Sequence, residues 1–241
     1  MFYVVALILI AVGVILFFVG RSKGRLKDVM AQTTTSTVES LQAGAHVEVK
    51  GHASCDKPLT APYHDQPCLY YKYQIERREK KSDSDNGSSS YSWRVVDRGN
   101  AHVPFYLTDA TGSALVNPDK ASWDAQRICK REIDPSESME DGTLKALTQA
   151  AIWMTQDRQR ITIWAVPADH ELYVLGNAEK LSDGSMRLAK GEGKFFISAR
   201  SEEELTRSLG NQTLGYYIAA AGLSAGGVIV AVLAAAGIIG K

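Results

Sequence analysis

The hydrophobic and polar positions divide the chain into three materials. Residues 1–20, MFYVVALILIAVGVILFFVG, carry no charge. A hydrocarbon core about 30 Å thick needs roughly 20 apolar residues at 1.5 Å rise each, so this run is long enough to span a bilayer. From Leu214 to Gly240 the chain is again uncharged and predicts a second span, with Tyr216 and Tyr217 where an interfacial aromatic belt would place them. The segment between the two runs is polar, and in it the apolar period changes to two.

Val47 and Val49 alternate with His46, Glu48 and Lys50, which predicts a first strand. The strongest strand pattern is CLYYKYQIERRE, Cys68 to Glu79, with Leu69, Tyr71, Tyr73 and Ile75 on an inner face and Cys68, Tyr70, Lys72, Gln74 and Glu76 on a wetter one. Each large inner side chain is worth about 1.5–3 kcal/mol when buried. The following KKSDSDNGSSSYS is too polar to bury surface, and Asn86-Gly87 reads as a hairpin tip. A return strand through Trp93 and Val95 is expected next. Further strands are expected at 103–107 and 113–116 around an Asp109–Gly112 turn, and at 126–133, 161–166, 171–175, 185–188 and 194–198.

Leu144, Leu147, Ala151 and Met154 recur at spacings of three and four, predicting a soluble helix over 139–159. Ser201, three residues before Glu204, has the capping-box pattern of another helix start. The Thr- and Ser-rich stretch 28–41 has no period and reads as a tether or a short membrane-proximal helix. The expected fold class is α+β, mainly antiparallel β, with a barrel as one form of closure. Its expected organisation is a span at 1–20, a basic juxtamembrane tether at 21–43, a soluble domain at 44–211 and a second span at 214–240.

Charge adds a direction. Arg21, Lys23, Arg25 and Lys27 follow the first span immediately, and no A-x-A cleavage pattern intervenes, so the run reads as a retained anchor. The positive-inside rule then puts the polar segment in the cytosol. A prokaryotic plasma membrane is the preferred setting, an organelle membrane the second. Net charge is zero and no basic stripe interleaved with aromatics appears along the linear sequence, which gives no electrostatic reason to expect a nucleic-acid partner. In the second span Gly222 and Gly226 form a small-xxx-small face suited to close helix packing, against the first span or in a homodimer with a second copy.

Candidate chemistry is sparse. The three cysteines, Cys55, Cys68 and Cys129, form no paired framework and fit a reducing compartment. His52, Cys55, His64 and Cys68, H-x-x-C then H-x-x-x-C, are a set that tetrahedral zinc would accept. The competing reading makes Cys68 the start of an amphipathic strand and Cys55 a small apolar filler; on it no cofactor is expected. Cys68 or Cys129 paired with His102 or His170 would be a nucleophile and base, but nothing in the sequence positions them together. Gly191–Gly193 reads as a turn, as does Asp109–Gly112.

Several blocks, in this order, resemble one family. They are PLTAPYHDQPCLYYKYQIERRE, YSWRVVDRGNAHVPFYLTDATGSALVNP, HELYVLGNAEKLSDGSMRL and KFFISARSEEELTRSLG. The family is the GIDE, or beside-a-membrane, domain of membrane-embedded E3 ubiquitin ligases of mitochondria and chloroplasts, which also has prokaryotic relatives. In those ligases a zinc-binding RING follows the second span; this sequence reaches Lys241 with no C-x-x-C, so the resemblance implies the membrane domain without the ligase activity. The expected function is a membrane-anchored, non-catalytic adaptor for a membrane-associated protein partner. The alternative is a component of an E3 ubiquitin-ligase system whose RING activity is supplied in trans.

Overall fold

A computed structural model describes residues 2–62, 66–82, 89–133 and 158–239. The chain forms two compact units, one of Met1–Thr34 with Ser201–Lys241, the other of Thr35–Arg200.

The first unit is a pair of long helices, α1 (Phe2–Gln32) and α2 (Glu202–Ala235). Both are long and apolar enough to cross a membrane. They run antiparallel: Gly13 faces Ser224, Gly20 faces Tyr216 and Tyr217, Gly24 faces Thr213, and Gly227 faces Ala6 and Ile10. Small residues lie inside this seam, where Ala6, Gly13, Gly20, Ala220 and Gly227 are buried, while Leu7, Ile15, Phe18, Ile218 and Val232 point outward and are at least 60% exposed. That is the reverse of a water-soluble bundle and suits a lipid solvent, where close backbone packing rather than the hydrophobic effect joins helices.

The first helix does not stop with the apolar run. Residues 21–32, read from sequence as part of a tether, continue α1 for three turns, with Arg21, Lys23, Arg25 and Lys27 on them. Likewise the helix start at Ser201 opens α2 itself: the Glu204 N–H donates to Ser201 Oγ at 3.2 Å, and acidic Glu202–Glu204 sit in the first turn, where they complement the helix dipole. Residues 201–211 therefore belong to the helical unit. Gly222 and Gly226 lie outside the seam, for a Cβ built on either meets nothing within 4 Å beyond its own helix; Gly227 is the glycine that packs on α1.

The second unit is built on a closed barrel of five strands. β1 (His46–Ser54) pairs with β5 (Phe105–Thr108), β5 with β6 (Ser113–Val116), β6 with β11 (Met186–Ala189), β11 with β10 (His170–Lys180), and β10 returns to β1 over His46↔Asn177 to Ala53↔His170. Closure needs β5 to press onto β1 at Gly51, where a Cβ would lie 2.6 Å from the Thr108 carbonyl oxygen. The short strands β12 (Phe196–Ser198) and β7 (Ser122–Asp124) extend the sheet from β10. Val49, Phe105, Leu107, Val116, Val174, Leu188 and Ile197 fill the interior, and Trp123 stacks on Tyr70 at 4.7 Å between ring centroids.

The remaining strands make a second, antiparallel sheet in the order β4 (Ser89–His102), β3 (Pro67–Ser82), β9 (Gln159–Pro167), β8 (Gln126–Ile133), with the two-residue β2 (Leu59–Thr60) against the start of β3. One of its faces buries Ile75, Ile161, Ile163, Ala165 and Ile133 in a separate cluster. The alternation expected along β3 holds from Tyr71 to Ile75 but fails before it. A register shift against β9 between Cys68 and Tyr70 turns both Leu69 and Tyr70 into the barrel core, so Tyr70 is buried rather than wet. The helix expected over 139–159 lies outside the described residues except at its end, where Gln159 opens β9; the Asn86-Gly87 tip also lies outside them.

Both ends of the β unit are fastened. Thr35 and Ser36 bond to Glu48, Val38 and Leu41 enter the barrel core, and the Val38 N–H donates to Asp109 Oδ2 at 2.8 Å. At the other end Arg200 grips Asp124 through Nε at 2.6 Å and Nη2 at 2.7 Å, while Ser198 Oγ donates to the same carboxylate at 2.8 Å.

Candidate functional site

Among the described residues, His52, Cys55 and Cys68 lie in different surroundings. His52, on the exposed side of β1, is held by Asp169 through Nε2 and lies 3.4 Å from Glu171 through Nδ1. Cys55 leans on the barrel core, with Sγ donating to the Pro104 carbonyl at 3.4 Å, whereas Cys68 is buried in the cluster of the second sheet. His64 lies outside the described residues. Burial pushes the Cys68 thiol up to about 11, against a smaller opposing effect of a backbone hydrogen bond at Ala61, and it raises Cys129 as well; neither is poised as a thiolate. Among the described residues no group of three His, Cys, Asp or Glu side chains gathers as a metal site. His102 is held by Asp119, Nε2 to Oδ1 at 3.0 Å, and that hydrogen bond keeps the Asp119 carboxyl below its usual range.

The Asp109–Gly112 segment is a turn, as expected. Asp109 Oδ1 accepts from the Thr111 N–H, the Thr111 hydroxyl and the Gly112 N–H at 2.7, 2.6 and 3.0 Å, the pattern of an Asx turn.

What the fold does assemble is a surface. Residues directly opposite in antiparallel strands share a face. Lys72 lies opposite Trp164, Gln74 opposite Thr162 and Arg98, Glu76 opposite Arg160 and Val95, and Arg78 opposite Trp93; on β8, Arg127 lies opposite Trp164, Lys130 opposite Thr162 and Glu132 opposite Arg160. Four strands thus contribute Lys72, Arg78, Lys80, Arg98, Arg127, Lys130 and Arg160 to one side of the sheet, against the carboxylates of Glu76 and Glu132. Lys72, Lys80, Arg98, Arg127 and Lys130 are exposed. The linear sequence has no basic stripe interleaved with aromatics, but strand pairing builds one.

The aromatics of this face hold cations. Arg78 lies 3.9 Å over the Tyr91 ring, Arg160 lies 4.4 Å over Trp93 and Lys72 lies 5.1 Å over Trp164. Arg160 also donates from Nε to Glu76 Oε2 at 2.8 Å, and this hydrogen bond holds the Glu76 carboxyl below the usual carboxylate range and raises Arg160. Side chains stacked in this way have given up rotamer freedom before any partner arrives, which lowers the entropy lost on binding. Sequence reasoning missed the face because its members are spread from Lys72 to Trp164; the one available signal was the Lys and Arg on the even positions of β3.

Comparison with known proteins agrees with the resemblance read from the blocks. The GIDE family model, described as E3 ubiquitin ligase, matches residues 73–233, about two thirds of the chain, from the middle of β3 into α2. No curated protein matches the chain.

Proposed function

Since this chain belongs to the GIDE family of E3 ubiquitin ligase domains, we propose that it acts as a membrane-anchored, non-catalytic adaptor whose β unit recognises a protein partner at the cytosolic face of a membrane. The observation that carries this reading is the basic, aromatic-braced face of the second sheet, a broad recognition surface assembled from four strands. The two candidate spans on either side of the β unit support membrane attachment, and anchoring raises the effective concentration of any partner in the same bilayer. The cluster Arg21, Lys23, Arg25 and Lys27 supports a cytosolic β unit, in a prokaryotic plasma membrane by preference and otherwise in an organelle membrane.

The family match favours a second reading, a component of a ubiquitin-transfer system that works with a RING supplied in trans. The chain purified in detergent with E1, E2, ubiquitin and ATP separates the two. The adaptor reading expects no ubiquitin chains from this protein alone and expects cross-linking in native membranes to capture partners that are lost when residues 35–200 are deleted. Ubiquitin transfer by the isolated chain would overturn it. Sidedness has its own test, labelling of a tag placed at Ser90: protection in intact cells is expected, and labelling from outside would place the β unit on the opposite side.

A further inference from the structure

The whole chain is electrically neutral, yet the fold segregates its charge, and the segregation says something about the partner. We propose that the basic face and the outer edge of β4 together dock an extended acidic segment of a protein, the segment adding alongside β4 with its carboxylates over the Lys and Arg side chains. This rests on the adaptor reading above and adds to it the chemistry of the partner.

Two independent features converge here. Charge is the first, with Lys72 and Lys80 on β3 and Arg98 on β4 itself exposed on a face where cations outnumber carboxylates. Backbone is the second. The β3 ladder with β9 ends at Arg77↔Gln159, but its ladder with β4 continues to Ser82↔Ser89, so the two strands run on as a ribbon. Among the described residues β4 pairs only with β3. About half of its 14 residues point their main-chain donors and acceptors away from β3, toward an added strand.

These features favour a peptide over other anions. A lipid headgroup would use the charge but not the strand edge. Nucleic acid would use the charge and stack its bases on rings, but Tyr91, Trp93 and Trp164 each already carry a cation over the ring. An extended peptide with alternating carboxylates and apolar residues uses both the edge and the face, because successive side chains of a strand point to opposite sides.

The test uses the full chain in nanodiscs of neutral phosphatidylcholine and a fluorescein-labelled ten-residue peptide alternating Glu and Val, read by anisotropy. The Glu-Val peptide is expected to bind at least tenfold more tightly than its Gln-Val counterpart, with affinity falling as salt rises. The triple variant Lys72→Glu, Lys80→Glu, Arg98→Glu is expected to lose at least tenfold in affinity. Lys180→Glu with Lys194→Glu, off this face, is expected to change it less than twofold. Matching circular dichroism and thermal unfolding identify variants that fold. Equal binding of the Glu and Gln peptides, or an unaltered affinity in the folded triple variant, overturns the proposal. So does binding of phosphatidylserine vesicles or an oligothymidylate in place of the peptide. If the peptide fails while cross-linking still captures partners through residues 35–200, the acidic-segment proposal falls and the adaptor reading stands; ubiquitin transfer by the chain alone sinks the adaptor reading whatever the peptide does.

Discussion

Tyr173 donates its hydroxyl to Glu48 at 2.8 Å, inside the barrel wall, where the carboxylate is fully shielded from water. Thr35 donates to the other oxygen of the same carboxylate at 2.7 Å, and the Lys50 ammonium lies 3.6 Å from it. A buried charge is tolerable only when its lone pairs are engaged, so each of these donors has a stake in the fold.

Tyr173→Phe removes one donor and leaves Glu48 under-satisfied in a dry site. The expected cost is about 1.5–3 kcal/mol, the range for a hydrogen bond to a charged group, read from denaturant unfolding of the β unit in the intact chain. Thr35→Val should cost a similar amount, and the two losses should not add, because they share one carboxylate.

Gly51 is required by close approach rather than by backbone angle. A methyl group there meets the Thr108 carbonyl, which is backbone and cannot swing aside. Gly51→Ala is expected to push β5 off β1 and to lower the midpoint of thermal unfolding by several degrees, about 1–3 kcal/mol of overpacking. Hydrogen exchange should localise the damage to Phe105–Thr108.

Acid should release Glu76 from Arg160. The folded carboxyl titrates below its usual range, so its contribution is present above the unfolded value near 4.3 and is lost as pH falls through the folded value. Glu76→Gln is expected to cost about 1.5 kcal/mol at pH 7. The gap between variant and parent should close as pH is taken below about 4, which unfolding curves at stepped pH would show.

The helix seam should resist bulk at Gly13 and Gly227. A Cβ at Gly227 would lie 2.8 Å from the Ile10 side chain and 2.9 Å from the Ala6 carbonyl. With the native cysteines replaced by serine, the pair Gly24→Cys and Thr213→Cys is expected to cross-link on mild oxidation in membranes. Adding Gly13→Leu or Gly227→Leu should reduce that cross-link at least fivefold, whereas Gly222→Leu should spare it.

Thiol reactivity should follow burial. Cys55 is half-buried, while Cys68 is buried with its thiol pushed up to about 11. At pH 8 iodoacetamide is expected to modify Cys55 at least tenfold faster than Cys68 in the native chain, and at comparable rates after denaturation, as peptide mass spectrometry would resolve.

Local signals were legible in the sequence. The strand at Cys68–Glu79 with its alternation from Tyr71 to Ile75, the Asp109–Gly112 turn and Ser201 as a helix start each rest on residues close together in the chain, and each is found in the structure. Barrel closure was left open because it pairs His46–Ala53 with residues near 170–177, and no short-range pattern reports such a partner. Residues 35–41 read as tether because Val38 and Leu41 are isolated anchors without a period, Val38 being held by Asp109 from far along the chain. Tyr70 changed sides through a bulge, which shifts a strand's parity without an obvious residue to announce it. The basic face was hidden for the same reason as the barrel: Lys72, Arg98, Lys130 and Arg160 meet only after four strands align.

The ring formed by β1, β5, β6, β11 and β10 also constrains the order of events during synthesis. Its first strand leaves the ribosome more than a hundred residues before the strand that seals it, so the nascent β unit waits open while α1 has already been made. Long-range pairing of this kind is slow and leaves unsatisfied strand edges exposed in the interval. β12 and α2 follow β10 and β11 directly in the chain, so the ring can seal only shortly before its second long apolar helix is made. Pausing translation just upstream of residue 170 should therefore yield a protease-sensitive chain, and release past residue 200 a resistant one.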